Sequence, residues 1–267
     1  MDLTSLLSTA LEAVDVASAV VMARDPGDLT PKGDRDLTSE VDFAIERTVR
    51  DFLRTRTPSV GILGEEEGMS FGSSELVWIL DPVDGTINYV RGLPLCGISL
   101  ALARNDQPIL GVIDLPFLRL RYSAIAGTGA YRNGQRIYAS KTHSLKEAIV
   151  AVGDYAVGDN AESKNTLRIS ITQALAATAL RVRMVGSAAI DLAWLADGRI
   201  DASLTMSNNP WDMAAGVAIA REAGALIVDA DGSDYTLRSG NTIAVAPNLL
   251  NEFLQLVTRA MEARSGG

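Results

Sequence analysis

Acid and hydroxyl side chains gather at one place in this sequence, the stretch Leu80-Asp81-Pro82-Val83-Asp84-Gly85-Thr86. Asp81 and Asp84 close an apolar run, Val77 to Leu80, that reads as a buried strand, so a strand end delivers both carboxylates to one point. Pro82 fixes its own φ and supplies no N–H, which turns the chain, and Gly85 lets the backbone come close to a ligand. Two other acidic segments qualify as partners: Gly64-Glu65-Glu66 before the strand and Pro210-Trp211-Asp212 far downstream. Carboxylate and hydroxyl oxygens suit hard cations such as Mg²⁺ or Mn²⁺. Glu65, Asp81, Asp84 and Asp212 are the inventory for a two-ion centre in which one carboxylate bridges. Taken singly, each acid has a plain structural role. Asp-Pro and Asp-Gly are turn dipeptides, Glu65-Glu66-Glu67 suits a solvated loop, and Asn209-Pro210-Trp211-Asp212 reads as an N-cap, a proline at N1 and an acid at N3.

The elements that must position these groups follow from periodicity. Residues 2 to about 23 place Leu3, Leu6, Leu7, Ala10, Leu11, Val14 and Val21 on one stripe of a packing helix. Arg24 to Leu37 mixes Pro, Gly and charges and reads as a mobile loop, with Lys32 and Asp36 candidates to face a site. Ser39-Glu40-Val41-Asp42 has the form of a capping box opening a second helix whose buried face is Val41, Ile45, Val49 and Phe52, which gives Asp42 a structural use. Val60 to Leu63 is a short strand, and Ile87 to Val90 one or two helical turns that would aim the Gly85 and Thr86 amides outward as an anion seat. Segments 97–103, 108–115 and 119–126 read as an antiparallel meander, and Asn133-Gly134 as a hairpin turn. From Lys146 strands and helices alternate: strands at 148–152, 181–185, 200–205, 225–229 and 242–246, helices at 161–179, 187–197, 211–223 and 248–262. The expected division is an α+β half over 1–145 and an α/β half over 146–267, joined in one compact unit.

Composition removes several classes of function. With 267 residues and 47% hydrophobic content the chain can bury a large core. A net charge of -9 without a basic cluster argues against a nucleic-acid partner. No apolar run suggests a membrane span and the N-terminus lacks a signal-peptide pattern, so a cytoplasmic protein without a membrane partner is expected. His143 is the single histidine and Cys96, among apolar neighbours, the single cysteine. A Ser-His-Asp triad, a multi-histidine zinc site and an internal disulfide therefore lack material.

Together, the segments around Lys32 and Asp36 to Asp42, Gly64-Glu65-Glu66, Trp78 to Tyr89, Gly127-Thr128-Gly129-Ala130, Asn133-Gly134, Gly186-Ser187-Ala188-Ala189 and Trp211 to Gly216 resemble the inositol monophosphatase family of Mg²⁺-dependent, lithium-sensitive phosphatases, bacterial type. The resemblance implies a layered αβαβα fold of the inositol monophosphatase and fructose-1,6-bisphosphatase kind, usually a homodimer, hydrolysing a small phosphate ester. It implies two or three Mg²⁺ per site, with Glu65, Asp81 and the Val83 carbonyl holding one ion and Asp81, Asp84 and Asp212 another. Glu65 and Thr86, the latter oriented by Asp42, would activate water, while Asp84, Gly85, Thr86, Ser187 and Ala188 would contact substrate. Where inositol-specific members commonly carry a glutamate before Trp-Asp, this chain has Thr205, which leaves the ester open. Inositol 1-phosphate leads, with histidinol phosphate or another sugar or nucleotide phosphate as the alternative. A regulatory binding protein on the same scaffold is the reading from a different class. Thr205 itself reads either as a substrate contact or as a core-facing strand residue, with Ser207, Asn208 or Asn209 doing the recognition.

Overall fold

The computed structural model describes residues 2–265. Helix α1 (Leu3–Ala23) opens on Asp2, whose carboxylate accepts the Ser5 amide at 3.3 Å, and turns Leu6, Ala10, Ala13, Val14, Ala17 and Val21 inward. Helix α2 (Glu40–Arg56) packs beside it through Val41, Ile45, Val49 and Leu53. The four-residue spacing wins over the expected Phe52, which is only half-buried. Helix α1 is long and apolar enough to cross a membrane by length and composition, contrary to the sequence expectation; here its apolar face lies against α2 and the sheet below. The expected loop before α2 is instead an antiparallel hairpin, β1 (Leu29–Gly33) and β2 (Asp36–Ser39).

The large sheet contains β3 (Gly61–Gly64), β4 (Gly68–Ser70), β5 (Leu76–Asp84), β6 (Gly97–Arg104), β7 (Gln107–Leu115), β8 (Leu120–Ile125), β9 (Gly129–Arg132) and β10 (Gln135–Ile137). Its order is β10-β9-β8-β7-β6-β5-β3-β4, antiparallel except where β3 runs parallel to β5. Consecutive side chains go to opposite faces. Trp78, Leu80, Leu100, Leu102 and Val112 pack with α1 and α2, while Ile79, Ala101, Ala103 and Ile113 face the other way. At the Asn133-Gly134 turn both residues have positive φ, 48° and 78°, as the dipeptide leads one to expect.

The second sheet contains β11 (Ile149–Val152), β12 (Arg181–Arg183), β13 (Ala202–Thr205), β14 (Leu226–Val228) and β15 (Thr242–Val245), in the order β12-β11-β13-β15-β14. β12, β11 and β13 pair in parallel; β15 runs antiparallel to β13 on one side and to β14 on the other, so the alternating half carries a mixed sheet with β15 as its one reversed strand. Helix α3 (Thr86–Val90) follows β5; α4 (Ala161–Thr178) and α7 (Leu250–Ser265) cover the outer face of the small sheet. Helices α5 (Ala188–Ala196) and α6 (Pro210–Glu222) fill the space between the sheets, which completes the layers α, β, α, β, α.

Helix α6 is buried nearly all round, and its small residues Ala214, Ala215, Gly216, Ala218 and Ala220 explain how it fits. A Cβ at Gly111 of β7 would stand 2.4 Å from the Ala215 carbonyl oxygen, and one at Gly216 would stand 2.5 Å from the Leu192 side chain of α5. Close contact on both sides, with the backbone of β7 at Gly111 and with the Leu192 side chain at Gly216, fixes the axis of α6. It thereby fixes Asp212 in its first turn.

Candidate active site

The β5–β6 ladder pairs Asp81 with Ser99 and Asp84 with Gly97, and its register shifts between them. Pro82 has no N–H to give the ladder, and the Val83 amide turns back to Asp81 Oδ1 at 3.0 Å. The resulting bulge brings both acids to one cavity of about 480 Å³. Gly85 then takes φ of 88°, and a Cβ there would lie 2.9 Å from the Leu95 carbonyl oxygen, so only glycine can make this step into α3.

Thr86 Oγ1 lies 3.1 Å from Asp42 Oδ1 and 3.0 Å from the Val83 carbonyl oxygen. Asp42 Oδ2 accepts the Ser39 amide at 3.0 Å and the Ser39 hydroxyl. Its two uses coexist: one carboxylate oxygen caps α2 and the other holds Thr86. Burial raises the Asp42 carboxyl above the ordinary range, against the Ser39 and Thr86 hydrogen bonds.

The Glu65–Glu67 segment is not the solvated loop its composition suggests. Buried Glu46 on α2 accepts the Glu66 and Glu67 amides at 2.8 and 2.9 Å, and pairs with buried Arg50 one turn on at 2.8 Å. The β1–β2 hairpin folds over the turn. Lys32 Nζ reaches Glu65 Oε1 at 2.7 Å and Glu66 Oε1 at 2.6 Å, and the Thr38 hydroxyl donates to Glu66 at 3.0 Å. Burial alone would lower the Lys32 ammonium; its bonds to Glu65 and Glu66 raise it instead. The side chain of Asp36 lies outside the described residues.

Glu65, Asp81, Val83, Asp84, Gly85, Thr86 and Asp212 line this one cavity, while Asp42 stands behind Thr86. Ser187, Ala188 and Thr205 line an adjoining cavity of about 330 Å³, whose wall also includes Asp84 and Asp212. The Ser187 hydroxyl and the Ala189 amide, the latter at 2.7 Å, both donate to Asp84 Oδ2. From the sequence Ala189 is named only within the Gly186 to Ala189 segment, with no role at the site; its place two residues after the Ser187 cap of α5 is the signal that could find it. Asn209 occupies the N-cap position of α6 but makes no side-chain cap; its Nδ2 donates to Asp212 Oδ2 at 3.1 Å. Asn208 is engaged elsewhere, donating to the Ser239 carbonyl at 2.9 Å and accepting from Thr242. Asn88 Nδ2 ties the loop after β5 to the loop before α5, at 2.8 Å from the Leu95 carbonyl and 2.9 Å from that of Val185.

The electrostatics are those of acids crowded beside one cation, Lys32, which is already paired with Glu65 and Glu66. Asp81 stands well above the ordinary carboxylate range because it is buried and because Glu65, Asp84 and Asp212 repel its charge. Burial likewise raises Asp212, with Asp84 and Glu65 adding to it. Asp84 is pushed up to about 6 by burial, against the Ser187 and Ala189 hydrogen bonds. Burial also raises Glu65, opposed by Lys32. Among the described residues no three of these acids close into a ready metal cage. No described group donates to the second oxygen of Asp81 or of Asp212. The donor set is all oxygen, anionic and short of protein cations, which fits hard divalent ions and not zinc or copper. Cys96 stays outside the chemistry, its buried thiol pushed up to about 12.

A profile of the inositol monophosphatase family matches residues 2–262. An inositol-1-monophosphatase ImpA of Mycolicibacterium smegmatis is 35% identical, covering 96% of this chain and 92% of that one. A fructose-1,6-bisphosphatase/inositol-1-monophosphatase of Thermotoga maritima is 35% identical over 88% of this chain and 87% of its own. A solved structure of a Thermotoga maritima IMPase superposes with a TM-score of 0.87 at 32% identity, covering 96% and 98% of the two chains.

Proposed function

This chain belongs to the inositol monophosphatase family and is a phosphoric monoester hydrolase, and on that premise we propose that it hydrolyses small polyol phosphates, inositol 1-phosphate first, with Mg²⁺ at the carboxylate cavity. The observation that carries the reading is the convergence of Glu65, Asp81, Asp84 and Asp212, from three separate regions of the chain, on one cavity beside the Thr86–Asp42 pair. Glu65, Asp81 and the Val83 carbonyl are assigned to one ion, and Asp81, Asp84 and Asp212 to a second. Mg²⁺ bound there supplies charge neutralisation for the ester and lowers the pKa of water. Thr86 Oγ1 takes a proton from the attacking water and passes its own toward Asp42 Oδ1, at 3.1 Å. Glu65, in the lining of the same cavity, orients that water. The Gly85 and Thr86 amides hold the phosphate, and Ser187 keeps Asp84 turned toward the cavity through its hydrogen bond.

On the same reading the protein is a cytoplasmic homodimer inhibited by lithium, and the halves 1–145 and 146–267 act as one unit, since the first supplies Glu65 and the second Asp212. The decisive experiment is phosphate release from inositol 1-phosphate and histidinol phosphate by purified protein with and without Mg²⁺. Release that needs Mg²⁺ and favours inositol 1-phosphate supports the reading. Metal-independent release overturns the mechanism, and preference for histidinol phosphate overturns the substrate.

A further inference from the structure

The two adjoining cavities share Asp84, Asp154, Gly186 and Asp212 in their walls. Of the acids among these, Asp154 has no use in the mechanism above. It follows β11 in an exposed loop, next to the end of β13. The Gly153 amide donates to the Leu204 carbonyl at 2.9 Å, and a Cβ on Gly153 would stand 3.5 Å from Thr205 Oγ1. Buried Arg168 of α4 pins this loop. Its guanidinium donates to the Asp154 carbonyl at 2.7 Å, the Met206 carbonyl at 3.2 Å and Ser207 Oγ at 3.0 Å. Arg168 thus joins the ends of β11 and β13 through backbone oxygens and one hydroxyl, and leaves the Asp154 carboxylate unbound. Among the described residues that carboxylate has no hydrogen bond or ion pair.

A second acceptor in the same wall stands without a donor. Asp191, 2% exposed on α5, lines the smaller cavity, and its Oδ1 has no hydrogen-bond partner. Thr205 and Ser207 add hydroxyls to the lining, and Ser207 Oγ already accepts from Arg168. A cavity of about 330 Å³ with the unpaired Asp154 carboxylate and two hydroxyls in its lining, next to the place assigned to the phosphate, suits a leaving group rich in O–H donors.

Resting on the reading of the larger cavity as the place of ester cleavage, we propose that Asp154 accepts hydrogen bonds from hydroxyls of the leaving group and sets a preference for polyol phosphates over esters without hydroxyls. The probe is the ratio of kcat/KM for inositol 1-phosphate to that for p-nitrophenyl phosphate, whose leaving group offers no such donors. Asp154→Asn and Asp154→Ala should lower this ratio by about 10- to 100-fold, the range for a lost hydrogen bond to a charged group. Asp154→Glu, which keeps the carboxylate, should recover part of it. Unchanged ratios overturn the proposal. So does a larger loss on histidinol phosphate than on inositol 1-phosphate, because the carboxylate would then serve an ammonium. If the wild type releases no phosphate from any ester, the hydrolase reading has failed instead. Calorimetric binding of inositol 1-phosphate then decides the role of Asp154: at least tenfold weaker binding in Asp154→Asn upholds it, and equal binding overturns it.

Discussion

Two buried carboxylates lie close to the Glu65–Glu67 turn and meet opposite circumstances. Glu46 is wholly enclosed, and Arg50 and the Glu66 and Glu67 amides occupy its oxygens. Asp81 is almost as deeply enclosed, yet one amide donates to it and the charges around it are Glu65, Asp84 and Asp212. A buried charge is costly unless it is paired and hydrogen-bonded. Glu46 finds its pair within the chain, so it builds the frame. Asp81 does not, and on our reading the missing partner is a cation from solution. The same contrast holds for Asp197, which Arg132 and Arg199 each approach to 2.7 Å and which is not among the residues lining either cavity.

The comparison breaks if both kinds of carboxylate respond alike to neutralisation. Asp84→Asn should lower kcat/KM by ~10²-fold or more, since a lost ligand withdraws transition-state stabilisation, while the denaturation midpoint holds or rises as a repelling charge is removed. Glu46→Gln should do the reverse to stability. It takes from buried Arg50 its near, enclosed partner and leaves only Glu67 at 3.6 Å, a change that costs about 3 kcal/mol in urea unfolding. Equal loss of stability in the two variants would mean that the site acids are structural.

Thr86→Ala sharpens the division inside the site itself. The backbone amides proposed to hold phosphate remain, whereas the hydroxyl between Asp42 and the Val83 carbonyl is gone. We expect kcat to fall by about 10- to 100-fold with KM changed much less. A pure KM effect would move Thr86 from water activation to substrate holding.

How far these roles were legible depends on whether local chemistry or tertiary contact creates them. The β5 terminus was readable because Pro82, Gly85 and the Asp81 side chain act on their own neighbours. The Asp42 cap was readable for the same reason. The β1–β2 hairpin was not: its first strand is exposed throughout and carries Pro31 and Gly33, so no alternation marks it, and Lys32 and Thr38 tie it to Glu65 and Glu66 from a distance. The anchoring of the half-buried Glu65–Glu67 turn leaves no local signal because its partner, Glu46, comes from α2. Its one readable trace was Glu46 and Arg50 four residues apart beside the apolar face of α2. Asp154 was invisible as a lone acid in a loop, since its placement depends on β11 lying beside β13 and on Arg168 from α4.

The finest form of the comparison is a pH titration of stability with and without metal. Asp84 moves from 3.8 to about 6 on folding because it is buried, and Asp81 and Asp212 are raised as well by burial and mutual repulsion. Between these limits the metal-free folded protein holds protons that the unfolded chain has released. Its stability must then fall as pH rises: the contribution of each raised carboxyl is complete below the unfolded value and lost through the folded one. Mg²⁺ would favour the ionised carboxylates and remove that loss, with an added gain from binding only the folded state. The Tm difference between millimolar Mg²⁺ and chelator should therefore be small near pH ~4.5 and grow to several degrees by pH ~7.5. Glu65 should contribute least, because Lys32 already offsets its charge. In Glu46→Gln the growth with pH should persist from a lower baseline, and in Asp84→Asn it should shrink. A difference that is flat across this range, or absent, would count against a cation at Asp81, Asp84 and Asp212.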